Sequence, residues 1–91
     1  MVNPITHDAE NNLYRVHLHG EHYATVHYQL EENSMAITST HIPEALRGAG
    51  YGKVMMEALL PEIAASGYKV IPVCSYVKHY LDRHPQWQHL L

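Results

Sequence analysis

The fold of this chain of 91 residues is decided by one stretch, Thr40-His41-Ile42-Pro43-Glu44-Ala45-Leu46-Arg47-Gly48-Ala49-Gly50-Tyr51-Gly52-Lys53. An apolar run ends there, three alternating glycines follow, and an amphipathic helix begins. Glycines allow positive φ and close approach of a ligand to the backbone. Successive N–H groups of such a loop can point at one phosphate group, and the N-terminus of the following helix adds partial positive charge. With Arg47 and Lys53 at its two ends, the loop is predicted to bind an anion.

Spacing separates the known kinds of phosphate-binding loop. A P-loop has four residues between its glycines and Ser or Thr after its lysine, whereas Gly48 and Gly52 enclose three residues and Val54 follows Lys53. The dinucleotide fingerprint has its third glycine one position later, and an acidic residue about twenty positions on, where this chain has Ile71-Pro72-Val73. Both fit badly. A glycine-rich turn that only caps a helix remains an alternative.

The segment Arg47-Gly48-Ala49-Gly50-Tyr51-Gly52 resembles the R-G-x-G-[aliphatic or aromatic]-[GA] pyrophosphate loop of the GCN5-related N-acetyltransferases, which holds acetyl-CoA there. From Met35 to Leu91 the chain resembles the very small members of that superfamily. Their pattern is a strand ending T-x-[VI]-P, then P-E-[LA]-R-G-x-G, a helix, a short strand ending before Cys, and a helix leading into H-P-x-[aromatic]. The matching segments are Thr40-His41-Ile42-Pro43, Glu44-Ala45-Leu46-Arg47-Gly48, Ile71-Pro72-Val73-Cys74-Ser75-Tyr76 and His84-Pro85-Gln86-Trp87. In one departure, His often precedes this Thr in the subfamily, where this chain has Ser39 and carries His41 two positions later.

Composition limits the class of protein. With 46% hydrophobic and 16% charged residues, the chain is typical of a globular protein and long enough for one domain, residues 1–91. The formal charge of −3 and the absence of basic runs argue against nucleic acid as a partner. No apolar run approaches the roughly 18 residues of a membrane span, and the N-terminus lacks a signal-peptide layout. A single cysteine, Cys74, suits a reducing compartment, so a cytoplasmic location is predicted.

Nine histidines are the unusual feature of the composition. His17 and His19 share one face of a predicted strand, and His22 and His27 lie on its neighbour, so a metal site is conceivable. However, the apolar residues that alternate with His17 and His19 along the strand take the buried face. The two histidines are therefore left on the solvent side. No cysteine or carboxylate stands at ligand spacing, and no metal site is predicted.

The first half of the chain predicts an antiparallel meander. Residues 1–12 have the pattern of a polar lead-in with a turn. Strands are predicted over 13–18, 22–30 and 34–42, with period-two alternation. The residues expected on the buried face are Tyr14, Val16, Leu18, Ala24, Val26, Tyr28 and Leu30.

The second half predicts a helix, a strand and a helix. The first helix runs from Gly50 to about Ser66 and should kink or restart at Pro61. Its expected apolar stripe is Tyr51, Val54, Met55, Ala58, Leu59 and Ile63. Residues 68–73 follow as a short buried strand with a parallel neighbour. Ser75 is the expected N-cap of the last helix, over about 76–83, after which Trp87, Leu90 and Leu91 are expected to fold back as an apolar clamp.

This order predicts an α+β fold with a mixed sheet, in which an antiparallel meander precedes an α-β-α unit. The resemblance implies a truncated form of the GCN5-related acetyltransferase fold that keeps its acetyl-CoA-binding half. Family members of ordinary size continue with strands that complete the acceptor pocket. Here the acceptor site is expected to be shallow, built by the hairpin, or completed by a second subunit, in a monomer or a weak homodimer.

The resemblance also implies a cofactor site. In the family the pantetheine arm of acetyl-CoA lies between two splayed strands, which here are 39–43 and 70–74. The N–H near Ile42 would bond the thioester carbonyl, and Cys74 and Tyr80 would border the same groove. The residues implied to hold the pyrophosphate are Arg47, Gly48, Ala49, Gly50, Tyr51, Gly52 and Lys53.

Catalytic roles are implied for two residues and open for three more. Cys74, near the N-terminus of a predicted helix that lowers thiol pKa, can carry the acetyl group or protonate the departing thiolate, or can be a small hydrophobe in the groove. His41 can deprotonate the incoming amine or be a solvated strand end. Tyr76 and Tyr80 can act as acids or simply pack. Glu44, the only carboxylate beside the loop, is first a residue that leads into the helix and second a candidate base.

Two classes of function follow. The first is an N-acetyltransferase that uses acetyl-CoA and an unidentified amine, either a small molecule or a protein. The second is a module that binds CoA or acetyl-CoA without turnover. A histidine-borne metal module is a distant third.

Overall fold

One mixed sheet of five strands carries the fold in the computed structural model, which describes residues 4–91. Its strands lie side by side in chain order, and they are β1 (Ile5–Asp8), β2 (Leu13–His19), β3 (His22–Glu31), β4 (Ser34–His41) and β5 (Lys69–Pro72). The first four are antiparallel neighbours, and β5 runs parallel to β4. The helices are α1 (Tyr51–Ala65) and α2 (Ser75–Asp82), with short 3₁₀ segments at Ala9–Asn11, Glu44–Leu46 and Pro85–Leu90. The predicted α+β class, meander and parallel final strand are confirmed.

The strand β1 corrects the prediction that residues 1–12 are a polar lead-in, of which 1–3 lie outside the described residues. Ile5 pairs with Val16, and Asp8 with Leu13. The imidazole of His7 stacks on Tyr14 with centroids 4.2 Å apart, and its Nε2 lies 2.5 Å from the Tyr28 hydroxyl. An exposed polar residue thus lies on the same face of the sheet as Tyr14 and Tyr28, so no apolar alternation marks this strand.

The inward residues predicted for β2 and β3 are buried, with one exception. Leu30 is 47% exposed, so its predicted burial is wrong. It lies at the end of the sheet beside the turn at Glu32, where it has little cover.

The buried face of α1 is wider than the predicted stripe. Met56 and Leu60 are buried, whereas Tyr51 and Val54 are only partly so. The helix continues through Pro61 to Ala65, so the predicted restart does not occur. Pro61 itself is exposed.

The last quarter of the chain closes the core. Cys74, with extended backbone at φ −68° and ψ 127°, is the N-cap of α2, and the prediction that Ser75 caps it is wrong because the helix begins at Ser75. Leu90 is buried and Trp87 packs against the core, but Leu91 is 51% exposed and does not take part in the predicted clamp. No helix within residues 4–91 is both long and apolar enough to span a bilayer.

Candidate functional site

The strands β4 and β5 part just before the glycine-rich loop. Their last register pair is Ile37 with Pro72. The Val73 N–H then bonds the Ile71 carbonyl at 3.0 Å, which closes a tight turn centred on Pro72, and the Cys74 N–H donates to the Ile37 carbonyl at 2.9 Å. The strand β4 continues for four residues, 38–41, that pair with no described residue of β5. One edge of β4 is therefore open beside the loop.

A β-bulge bends β4 at the same level. Tyr28 of β3 pairs with Ile37, but His27 pairs with Ser39, which leaves Thr38 as an extra residue. The Thr38 hydroxyl donates to the His27 carbonyl at 3.3 Å. Because a bulge bends its strand and increases the local twist, it adds to the separation of β4 from β5. The bulge depends on pairing between strands, so the alternation of a single strand did not reveal it.

The glycine-rich loop has the conformation that its sequence suggests. Gly48 and Gly50 have φ of 82° and 83°, in the left-handed region that favours glycine, and Gly50 is the N-cap of α1. The Arg47 Nε donates to the Ile42 carbonyl at 3.1 Å. This bond ties the arginine to the end of β4 and leaves its terminal guanidinium N–H groups available for a ligand.

A cavity of about 360 Å³ opens over this loop. It is lined by Ile42, Leu46, Arg47, Gly48, Gly50, Tyr51, Gly52, Lys53 and Tyr76. The structure thus brings together most of the residues assigned to the cofactor from the sequence. Ala49 does not line the cavity, and its N–H is directed at the Leu46 carbonyl at 3.4 Å.

A second cavity of about 260 Å³ continues toward the open edge of β4. Its lining is Thr40, Ile42, Arg47, Gly52, Met55 and Tyr76. Ile42, Arg47, Gly52 and Tyr76 line both cavities, so together they form one groove from the loop to Thr40. We call this the loop groove.

Tyr76 contributes more to the lining of the site than the sequence predicted. A Cβ added at Gly52 would lie 2.8 Å from the Tyr76 Cζ, and closer still to its hydroxyl. Gly52 has no positive φ, so a glycine is not needed there for the backbone conformation. The absence of a side chain instead provides room for the Tyr76 ring. The resemblance of the loop includes this glycine, but the sequence does not show which ring fills the space.

Cys74 lines none of the three cavities, but it contacts a residue that lines this groove. Its Sγ is 3.5 Å from the Thr40 Oγ1, and Thr40 lines the groove. Burial raises the pKa of the Cys74 thiol, but hydrogen bonds from the Thr40 hydroxyl and from the N–H groups of Val77 and Tyr76 outweigh it, and the pKa lies below its ordinary value. The predicted helix-terminal environment is therefore present.

The structure does not bring His41 to Cys74. Thr40 pairs with the buried Val26, on the face that packs against the core, whereas His41 pairs with Thr25 and is exposed. Because successive side chains of a strand alternate between faces, His41 lies on the opposite face of the sheet from Thr40. Its catalytic role stays a prediction that geometry does not favour.

Tyr80 lies apart from the loop groove. Its side chain is 7% exposed and borders a third cavity, between α1 and α2. Burial raises the pKa of its phenol, with smaller contributions from Glu57 and Tyr76. Glu44 is exposed in the 3₁₀ turn and lines none of the three cavities.

The histidines of the hairpin do not assemble a metal centre. Among residues 4–91, no three His, Cys, Asp or Glu side chains come together as a possible ligand group. The His17 Nε2 lies 2.8 Å from the Gly20 carbonyl, and the His17 ring meets Tyr23 edge-on. His19 and His27 are exposed.

Comparison with known proteins agrees with this geometry. Protein NATD1 of Xenopus tropicalis is 25% identical over 88 residues, covering 94% of this chain and 81% of its own length. The Mus musculus and Homo sapiens proteins of the same name are each 26% identical over 88 residues, covering 80% and 78% of their lengths. The model of the family described as GCN5-related N-acetyl-transferase matches residues 13–90. The chain, with its glycine-rich loop beside two parting strands, belongs to the GCN5-related N-acetyltransferase family.

Proposed function

We propose that this protein transfers an acetyl group from acetyl-CoA to an amine. The observation that carries the proposal is the loop groove, which joins the left-handed glycines of an anion-binding loop to the open edge of β4. Family membership supports an acetyltransferase-like activity. The choice of acetyl-CoA as donor and of an amine as acceptor is our inference.

The pyrophosphate of CoA would bind over residues 47–53. Backbone N–H groups of the loop and the N-terminus of α1 supply partial positive charge, and Arg47 and Lys53 supply full charges. Arginine holds phosphate oxygens through two parallel N–H bonds when its terminal nitrogens are available, as they are for Arg47. The pantetheine arm, which carries amide groups, would then lie along the open edge of β4 as an added strand does.

Acetyl transfer requires a stabilised oxyanion and a path for the leaving thiolate. The N–H of Ile42, at the end of β4, is the donor that we assign to the oxyanion formed when a nucleophile attacks the thioester carbonyl. In the two-step version the Cys74 thiolate attacks the carbonyl and CoA leaves as its thiolate. The amine then attacks the cysteine thioester, loses a proton to solvent, and regenerates Cys74.

The lowered pKa of Cys74 favours this nucleophilic role over that of a proton donor, because a larger fraction of the residue is thiolate near neutral pH. In the direct version the amine attacks acetyl-CoA itself, and Cys74 only borders the groove. Replacement of Cys74 by Ala separates these versions: it abolishes transfer in the first and leaves it nearly intact in the second. CoA affinity should change little in either case.

The first experiment is thermal unfolding with CoA, acetyl-CoA, NAD and ATP. A ligand that binds only the native state, at about 100 times its dissociation constant, adds roughly 2.7 kcal/mol of stability, which is about 10–20 °C for a domain of this size. We expect the unfolding midpoint to rise with CoA and acetyl-CoA only. This rise should be lost in Arg47→Ala. Arg15→Ala, an exposed arginine on β2 outside the three cavities, is the matched control. No shift with either CoA species would contradict the proposal.

A second candidate function is binding of acetyl-CoA without turnover. It is favoured by the inner part of the loop groove, whose lining at Thr40, Ile42, Arg47, Gly52, Met55 and Tyr76 contains neither a histidine nor a carboxylate to act as a base. Release of free CoA thiol with a panel of amines decides between the two. Binding of acetyl-CoA with no release above the uncatalysed rate for any amine would favour the binding module.

A further inference from the structure

The third cavity, between α1 and α2, adjoins the loop groove. It has a volume of about 200 Å³ and is lined by Lys53, Tyr76, His79, Tyr80, Arg83 and His84. Lys53 and Tyr76 also line the cavity over the loop. We propose that this α1–α2 cavity binds the 3′-phosphate of CoA, so that the protein discriminates CoA from 3′-dephospho-CoA. The inference rests on the proposed function and assigns a role to Arg83 and His84.

The charges around the cavity suit a phosphate. Lys53 and Arg83 carry full positive charges, and His79 adds a further N–H donor. None of the residues that line the cavity is acidic. This cluster of basic side chains occurs in a chain whose formal charge is −3, so it does not follow from the overall composition.

One carboxylate, Glu57, contacts this cluster of basic side chains. Its Oε1 lies 3.7 Å from the Lys53 Nζ, and the two side chains are 57% and 71% exposed. An exposed pair of this kind is weak and screened by salt, so a phosphate can compete for Lys53. Glu57 therefore opposes binding of an anion here, and its removal should strengthen binding.

His84 is held in one orientation. Its Nδ1 lies 2.7 Å from the Tyr80 carbonyl, which can only accept, so Nδ1 carries the hydrogen and donates it. The ring stacks on Tyr80 with centroids 3.8 Å apart and an interplanar angle of 12°. Because Tyr80 is almost fully buried, the pair is fixed to the core of the protein. The outer face of the His84 ring offers a flat surface beside which a nucleobase can stack.

The size of the cavity indicates part of a ligand rather than a whole one. Pockets that enclose a complete drug-sized ligand have volumes of about 300–1,000 Å³, which is more than this cavity offers. A group on a longer molecule, anchored elsewhere, fits better. In CoA the 3′-phosphorylated ribose is attached directly to the pyrophosphate. A pyrophosphate over the loop therefore brings this second phosphate to the neighbouring cavity, across the shared Lys53 and Tyr76.

The test is the affinity of the full chain for CoA and for 3′-dephospho-CoA, measured by titration calorimetry. We expect CoA to bind about tenfold more tightly, the effect of one charge-assisted hydrogen bond. Arg83→Gln should lower the affinity for CoA about tenfold and leave the affinity for dephospho-CoA unchanged. Glu57→Gln should strengthen binding of CoA more than binding of dephospho-CoA, because Lys53 also borders the pyrophosphate loop. Lys78→Gln removes an exposed charge from α2 that lies outside the cavity, and should change neither affinity.

Each outcome decides the inference. Equal affinity for the two ligands in the parent protein would overturn the phosphate site and leave the proposed function in place. An equal loss of both affinities in Arg83→Gln, with an unchanged unfolding midpoint, would also count against it, because the arginine would then act on another part of CoA. If neither CoA nor dephospho-CoA binds, the proposed function is overturned together with this inference.

Discussion

The hydroxyl of Thr40 is one of the groups that lower the pKa of Cys74 against the effect of burial, and its contribution can be measured in the protein without any ligand. With the pKa of the thiol below its ordinary value of 9.0, the rate of alkylation by iodoacetamide should reach half its maximum below that pH. Thr40→Val removes the hydroxyl that lies 3.5 Å from Sγ and leaves the burial that raises the pKa, so the midpoint should rise. Thr40→Ser keeps the hydroxyl and serves as the control.

The sign of the linked stability follows from the same shift. A thiol whose pKa is lower in the folded protein than in the unfolded chain adds stability above the unfolded pKa, and this contribution is lost as the pH falls through the folded pKa. Identical alkylation midpoints for the parent and Thr40→Val would show that the hydroxyl does not control the thiol.

Gly52 provides space for Tyr76, and this predicts how two substitutions combine. Gly52→Ala should displace the Tyr76 ring, which is 40% exposed and can move outward, so we expect little loss of stability but about tenfold weaker binding of CoA. Tyr76→Ala removes the ring from all three cavities and should weaken binding by itself. Calorimetry on the double variant should then show no further loss from Gly52→Ala. Additive losses would indicate that Gly52 acts on the ligand directly.

At the level of elements, the sequence predicted the parts that depend on periodicity. The alternation in β2 and β3 and the repeat of apolar residues in α1 gave correct elements because each buries one regular face. The strand β1 was missed because the exposed, polar His7 lies on the face of Tyr14 and Tyr28, where an apolar residue would have shown the alternation. The bulge at Thr38 and the exact cap of α2 depend on contacts between elements, which the spacing of residues within one element does not contain.

The burial of Tyr14 predicts a loss of stability at alkaline pH. Burial, with a smaller contribution from Tyr28, raises the pKa of Tyr14 from 10.0 to about 12. A group whose pKa is higher in the folded state adds stability below its unfolded pKa, and loses it as the pH rises through the folded value. Between pH 10 and 12 the free energy of unfolding should therefore fall, by roughly 2–3 kcal/mol once Tyr14 is fully ionised.

Chemical denaturation at several pH values measures this effect. Tyr14→Phe should flatten the decline above pH 10, apart from a smaller contribution of Tyr28, whose pKa burial also raises. Tyr23→Phe is the control, because Tyr23 is 47% exposed on the other face of the sheet. An equal decline in the Tyr14→Phe variant and the parent protein would contradict the assignment.

At the level of the whole molecule, one hydrophobic cluster joins the sheet, both helices and the C-terminal 3₁₀ segment. The opposite face of the sheet carries polar and partly exposed residues, among them Arg15, His17, Tyr23 and His27. The groove that we assign to acetyl-CoA lies where the two halves of the chain meet, at the parting of β4 and β5. Its geometry therefore depends on the packing of the whole cluster.

The C-terminal segment tests this dependence, because two adjacent leucines differ in burial. Leu90 is 4% exposed within the cluster, and Leu91 is 51% exposed. Leu90→Ala should cost about 2–4 kcal/mol of unfolding free energy, a large share of the roughly 5–15 kcal/mol typical of a domain, whereas Leu91→Ala should cost less than about 0.5 kcal/mol. Urea unfolding followed by circular dichroism and by Trp87 fluorescence gives both values. If the cluster is one cooperative unit, the two probes give the same urea midpoint as each other, in Leu90→Ala and in the parent protein alike, and that midpoint is lower in the variant. A fluorescence change that precedes the loss of secondary structure would instead show that the 3₁₀ segment detaches by itself.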